Sequence, residues 1–241
     1  MQSQHIVRAY DAELATLGGR IAAMGGLAER MVEQSVSALV NSDVELARRV
    51  IADDQKLDED QRWVDERAVQ LIAKRQPMAA DLREIIGAIR ISADLERVGD
   101  LGKNIAKRVV VVAETHQPVR LFRGIEALSG LALTQLKQVL DVYASRSVAS
   151  IGFVRDRDEE IDAMYTSLFR ELLTYMMEDP RNITPCTHLL FCAKNIERIG
   201  DHATNIAETV YYATTGEQLP MERPKEDKSH SVVMSDKAAA E

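Results

Sequence analysis

The sequence predicts an all-α protein built from two tandem, antiparallel three-helix bundles, and three observations predict it. The first is that the chain repeats itself. Glu96-Arg-Val-Gly-Asp-Leu-Gly-Lys-Asn-Ile-Ala-Lys107 returns as Glu197-Arg-Ile-Gly-Asp-His-Ala-Thr-Asn-Ile-Ala-Glu208, with Glu, Arg, Gly, Asp, Asn, Ile and Ala in register at an offset of 101 (197 − 96). Self-similarity of this kind marks an internal duplication. The second is that apolar residues recur three and four apart, the period of helices buried by one face. The third is composition. At 46% hydrophobic residues the chain can bury a sizeable core, while only 5% are aromatic and Ala, Leu, Ile, Val and charged residues dominate, which favours helices over a sandwich or barrel.

The first helix is expected over residues 6–40, from Leu14, Leu17, Ile21, Met24, Leu27, Met31, Val32, Ser35 and Leu39, with bends at Gly18-Gly19 and Gly25-Gly26. Ser42-Asp-Val-Glu45 has the form of a capping box and opens a second helix that runs to about residue 74, where Gln76-Pro77 stops it. The third, over 78–113, carries the first copy of the motif; Val109 to Val112 has strand propensity but continues the helical pattern. Thr115-His-Gln-Pro118 breaks the chain and is the expected join between repeats, placing one repeat at 1–115 and the other at 116–216. The second repeat follows the same plan, with helices at 119–144 and 147–178, a break at 179–184, then Thr184 as N-cap before Pro185. Its last helix ends near Thr214 with Gly216 as cap, and residues 217–241, rich in Pro, Lys, Glu, Ser and Ala without period, read as a disordered tail.

Within each motif, Glu and Asp are four apart, and so are Asp and Asn. On a helix these side chains stack on one face. At about 100° per residue, Glu96, Asp100 and Asn104 share a sector with Leu82, Ile86, Ile89 and Ala93, so the carboxylates continue an apolar stripe. Asp54 and Asp58 do the same on the second helix, and Asp158 and Asp162 on the fifth, the latter at an offset of 104 (162 − 58). Short connections set these helices side by side. Asp54, Asp58, Glu96 and Asp100 are therefore expected to converge, as are Asp158, Asp162, Glu197 and Asp201. Four carboxylates in a partly dry groove need compensation. An oxygen-rich site of this type suits Mg, Mn, Ca or iron, with Asn104 and Asn205 adding an amide oxygen or supporting the ligands. Zinc is disfavoured, since no His or Cys joins either quartet. The alternative is salt bridging by Arg97, Arg198 and Lys194. Lys194 falls inside the Glu197–Asp201 sector where the first copy has Ala93, whereas Lys103 and Lys107 are placed on the far side of the first motif. A metal is thus the more economical neutraliser in the first half.

The remaining features restrict function. A net charge of −8 offers no basic footprint for nucleic acid. No run of about 18 apolar residues occurs and the polar N-terminus lacks a signal-peptide core, so a cytosolic protein is expected. Cys186 and Cys192 form no disulfide framework and read as inert core thiols. His202 points off the carboxylate sector, and Trp63 and the nine methionines read as packing. No nucleophile triad, phosphate-cradling loop or dinucleotide fingerprint is present.

Glu197-Arg-Ile-Gly-Asp-His-Ala-Thr-Asn-Ile-Ala-Glu208 resembles the signature of the PhoU family, and the duplicated layout, the Gln76-Pro77 turn and the closing Tyr211-Tyr-Ala-Thr-Thr-Gly216 extend the resemblance to about residue 216. The second copy matches more closely than the first, with its Leu101-Gly-Lys103. The resemblance implies a cytoplasmic negative regulator of the phosphate-starvation response. Such a protein is an adaptor between the phosphate ABC transporter, through its ATPase, and a sensor histidine kinase; it is not an enzyme, has no organic cofactor, forms a homodimer and meets the membrane only through partners. It also implies metal, iron, manganese or magnesium, at the Glu/Asp-x-x-x-Asp positions. Two other readings are a metal-binding or structural helical scaffold without phosphate signalling, and a ferritin-like di-iron enzyme. The last requires Glu-x-x-His pairs, which the acidic positions lack.

Overall fold

The structure is a computed structural model, and it describes residues 2–112, 119–148 and 151–219. Among these residues there are six α-helices and no strand: α1 (Gln2–Asn41), α2 (Val44–Arg75), α3 (Ala80–Val112), α4 (Val119–Ser145), α5 (Ile151–Glu178) and α6 (Ile183–Thr215). The expected join at residues 115–118 and the tail from residue 220 onward lie outside the described residues.

Local chemistry sets the helix ends. Ser42 turns left-handed (φ 53°), which lets Asp43 rather than Ser42 cap α2; its carboxylate accepts from the Leu46 N–H at 2.9 Å. The cap therefore lies one residue later than the sequence places it, and with Leu46 at N3 no capping box forms; Glu45 pairs with Arg48 instead. Gln76 closes α2 in a left-handed conformation, donating its N–H to Ile72 O. α3 starts at Ala80, two residues later than its pattern suggests, because Ala79 is also left-handed (φ 50°). Before α6, Asp179 caps a single 3-10 turn, Pro180–Asn182, and Thr184 lies inside the helix instead of capping it. Pro185 is accommodated there because N–H groups in a first turn have no intrahelical acceptor. Gly216 ends α6 as expected, at φ 80° with its N–H on Tyr212 O.

Each half is a three-helix bundle, α1–α2–α3 and α4–α5–α6, and the halves are joined principally along α3 and α6 and secondarily along α1 and α4. α3 and α6 run antiparallel, since Gly87 faces Thr209 and Ala213, Asp94 meets His202, and Arg108 meets His188. α1 continues as one helix through its glycines. Gly25 admits Leu140 of α4, whose methyls would overlap a Cβ there. Leu17, Ile21, Met24, Met31, Leu57, Leu95, Val98 and Ile105 form the first core, and Ile125, Leu136, Val154, Leu172, Leu189 and Ile196 the second; all are essentially inaccessible.

The buried line of α3 passes through Ile85, Ala88, Ile91, Leu95, Val98, Gly99, Gly102 and Ile105. The sequence stripe through Leu82, Ile86, Ile89 and Ala93 therefore lies on the core's margin: Leu82 is exposed and the others are half-buried. Glu96 and Asp100 sit on that margin. Asp54 and Glu197 are the motif acids that go deeper, at 8% and 5% exposure.

Candidate functional site

Both quartets form. In the first half, α2 brings Asp54 and Asp58 against Glu96 and Asp100 of α3. Their mutual field is visible at Glu96, whose pKa is raised by burial first and by the charges of Asp100, Asp58 and Asp54 after it. What sits among them is Lys103. Its ammonium donates to Asp54 Oδ2 at 2.5 Å and Asp100 Oδ1 at 2.6 Å, tying α2 to α3. Arg97, 62% exposed, adds weaker contacts of 3.6 Å to Glu96 and 3.4 Å to Asp100. The expectation that Lys103 lies on the far side is corrected: side chains on a helix lean toward its N-terminus, and this one folds back over the residue three before it. Burial by itself would lower its pKa, but the hydrogen bonds it donates to Asp100 and Asp54 hold it above the usual lysine range.

The second half solves the same problem differently. Thr204 holds the position of Lys103 in the repeat (204 − 103 = 101). Its hydroxyl lies 3.2 Å from Asp158 Oδ1 and accepts at 3.0 Å from Gln135, a wholly buried side chain of α4. The cation comes from one helical turn before the motif. Lys194 donates to Glu197 Oε1 at 2.7 Å and rests over the Tyr165 ring at 5.0 Å. Asp162 and Asp201 add to the field on Glu197. Burial, opposed by the Lys194 hydrogen bond, pushes Glu197 up to about 7, and its Oε2 is buried with no hydrogen-bond partner.

That shift makes a prediction with a definite sign. Below pH 4.5 Glu197 is protonated in the folded and unfolded chain alike; between 4.5 and about 7 the folded state retains a proton that the unfolded chain has lost. Stability is therefore lost as pH rises through that window, by about 3 kcal/mol once it is passed. Glu197→Gln should be more stable than wild type near pH 8, with the gap closing toward pH 4.5, as read by urea unfolding across the range. A gap independent of pH would mean that Glu197 does not titrate there.

The amides do not join the quartets. Asn104 is exposed, and Asn205 turns toward Asp94 Oδ1 of the other half, 3.5 Å away. Asp94 also meets His202 Nδ1 at 2.9 Å, so the histidine of the second motif bridges the halves. This pair lines a groove of about 700 Å³ between α3 and α6, along with Arg90, Arg97 and Tyr212. Farther along, Arg108 stacks on the exposed Phe191 ring at 4.1 Å and lies 3.2 Å from His188 Nδ1. Arginine can only donate, so that nitrogen accepts. Trp63 packs under the Arg20 guanidinium at 4.6 Å, and both cysteines are buried and free.

Among the described residues no three or more Asp, Glu, His or Cys side chains close on a common point in the manner of an ion site. In the first half an ammonium already bridges two of the four acids. As folded, the first quartet does not fit a metal. The second has one feature of an ion site, the unpartnered Glu197 oxygen, but also a lysine on the same carboxylate. Sequence reasoning missed Lys103 and Thr204. Their shared place in the repeat, three residues after each motif Asp, was the signal that could have found them.

Comparison with known proteins places this geometry. A family description, the PhoU domain, matches residues 21–109 and 125–210. The phosphate-specific transport system accessory protein PhoU homolog of Rhizobium meliloti (strain 1021) is 67% identical over 232 residues, which span 96% of this chain and 98% of that protein. Its namesake in Caulobacter vibrioides (strain NA1000 / CB15N) is 48% identical, over 93% of this chain and 98% of the relative. The crystal structure of PhoU from Pseudomonas aeruginosa superposes with a TM-score of 0.83 at 36% identity, covering 86% of this chain and all (100%) of that one. That of the phosphate transport system regulatory protein PhoU from Streptococcus pneumoniae gives 0.81 at 27% identity, over 88% of this chain and 100% of its own.

Proposed function

The chain belongs to the PhoU family, and from that premise we propose that it is a cytoplasmic negative regulator of the phosphate-starvation response. The family's role lies in phosphate transport, as an accessory and not as an enzyme. Among the described residues no helix is long and apolar enough to cross a membrane. The finer reading is that the protein works as a homodimeric adaptor, contacting the ATPase of the phosphate transporter and a sensor histidine kinase and restraining the kinase when phosphate is plentiful. The observation that carries it is the near end-to-end match to relatives named as accessory proteins of that transport system. An adaptor must offer surfaces, and this chain exposes Phe153, Phe191, Met78 and Met177 at 66%, 51%, 81% and 78%. Single exposed apolar side chains are ordinary on a protein surface, so they leave room for a partner without marking where it docks.

A second reading, iron, manganese or magnesium bound at the acids, has one observation in its favour, the unpartnered Oε2 of Glu197 in the second half. The adaptor reading is tested by purifying the tagged native protein from phosphate-replete and phosphate-starved cells after brief cross-linking. The transporter ATPase and the histidine kinase should be recovered in the replete sample. Recovery of neither partner in either condition would remove the adaptor reading.

A further inference from the structure

Lys103 occupies a place that its repeat equivalent leaves to a hydroxyl. It spans α2 and α3 with two short charge-assisted hydrogen bonds, 2.5 Å to Asp54 and 2.6 Å to Asp100, and is only 20% exposed. An ion lying between those two oxygens would be in contact with the ammonium, since carboxylates hold divalent ions at roughly 2.0–2.6 Å. A metal and this ammonium are therefore mutually exclusive. In the second half the same position is Thr204, and the lysine stands on Glu197 from a preceding turn, 41% exposed.

We propose that Lys103 is the resident cation of the first carboxylate cluster, in the place a divalent ion would otherwise take, so that the two halves of this chain are unequal toward metals. The lysine acts as a tethered counter-ion: it is always present, carries a single charge and responds to no change in metal supply. Any response to divalent cations is left to the half that carries Thr204. This asymmetry is independent of which partners the protein contacts, so it stands or falls apart from the adaptor reading.

Two substitutions test it. Lys103→Met keeps most of the side chain's apolar length and removes the charge; Lys103→Thr copies the second half. Mn2+ binding is followed on the full chain by electron paramagnetic resonance of the free ion, beside thermal melting in chelator and in Mn2+. Both variants should gain a Mn2+ site that the wild type lacks, and Mn2+ should raise their melting temperature above that in chelator by more than it does for the wild type. Adding Asp54→Asn should abolish the gain. If a variant is unfolded in chelator, refolding on Mn2+ addition, seen by circular dichroism, supports the proposal, and failure of both variants to refold overturns it. It is equally overturned if folded variants gain no Mn2+ site, or if the wild type binds a Mn2+ that Asp54→Asn removes while Lys103 is still in place.

Discussion

Gly102→Val should destabilise the protein by roughly 3 kcal/mol, the upper part of the range for forcing volume into a packed core, whereas Gly102→Ala should be neutral or mildly stabilising. Gly102 lies on the buried line of α3, where it meets the backbone of α1. A Cβ there would sit 3.4 Å from the carbonyl carbon and oxygen of Met31 and from the nitrogen of Val32. That is ordinary contact, so a methyl fits, and Ala is worth about 1 kcal/mol over Gly within a helix. The duplication makes the same point, because the equivalent residue in the second half is Ala203, fully buried. The γ-methyls of valine have nowhere to go without moving the α1 backbone. Gly99 differs in kind. Its Cβ would overlap a methyl of the fully buried Leu57, which would have to shift within the packed core, so Gly99→Ala should cost more than Gly102→Ala. Urea unfolding at fixed pH reads all three. A midpoint for Gly102→Val equal to that of wild type would mean that α1 is not seated on α3 at this place.

The fold was legible because the signal for it is local and repeated. Helix period, the Gln76-Pro77 stop and the Gly216 cap each depend on a few adjacent residues, and the duplicated motif tied the halves together. Helix starts were less legible. Whether Ser42 or Asp43 caps α2 depends on which residue turns left-handed, and both are competent caps. At the candidate site, the convergence of the acids followed from four-residue spacing and short connections. Their compensation did not. A sector argument treats a side chain as fixed at its Cα angle, but Lys103 is long enough to reach back a turn and across to α2. The same argument failed for Asn205, which is drawn to Asp94 by a helix of the other repeat. Contacts between the halves, such as Asp94 with His202 and Arg108 with His188, depend on how α3 and α6 cross, and no local pattern states that.

The proposed role in phosphate regulation carries the largest expected effect, a change from repression to expression. If the protein restrains a kinase while phosphate is plentiful, removing it leaves the kinase unrestrained, and no rise in phosphate can restore the missing contact. Tested on this chain, the claim also asks that its own surfaces suffice, since its family works as an accessory and not by catalysis. The direct measurement is a phosphate-starvation promoter fused to a reporter, read in phosphate-rich medium in a strain deleted for this gene, with and without the gene returned on a plasmid. The account predicts high expression in the deletion strain and repression on complementation. Normal repression in the deletion strain would contradict it.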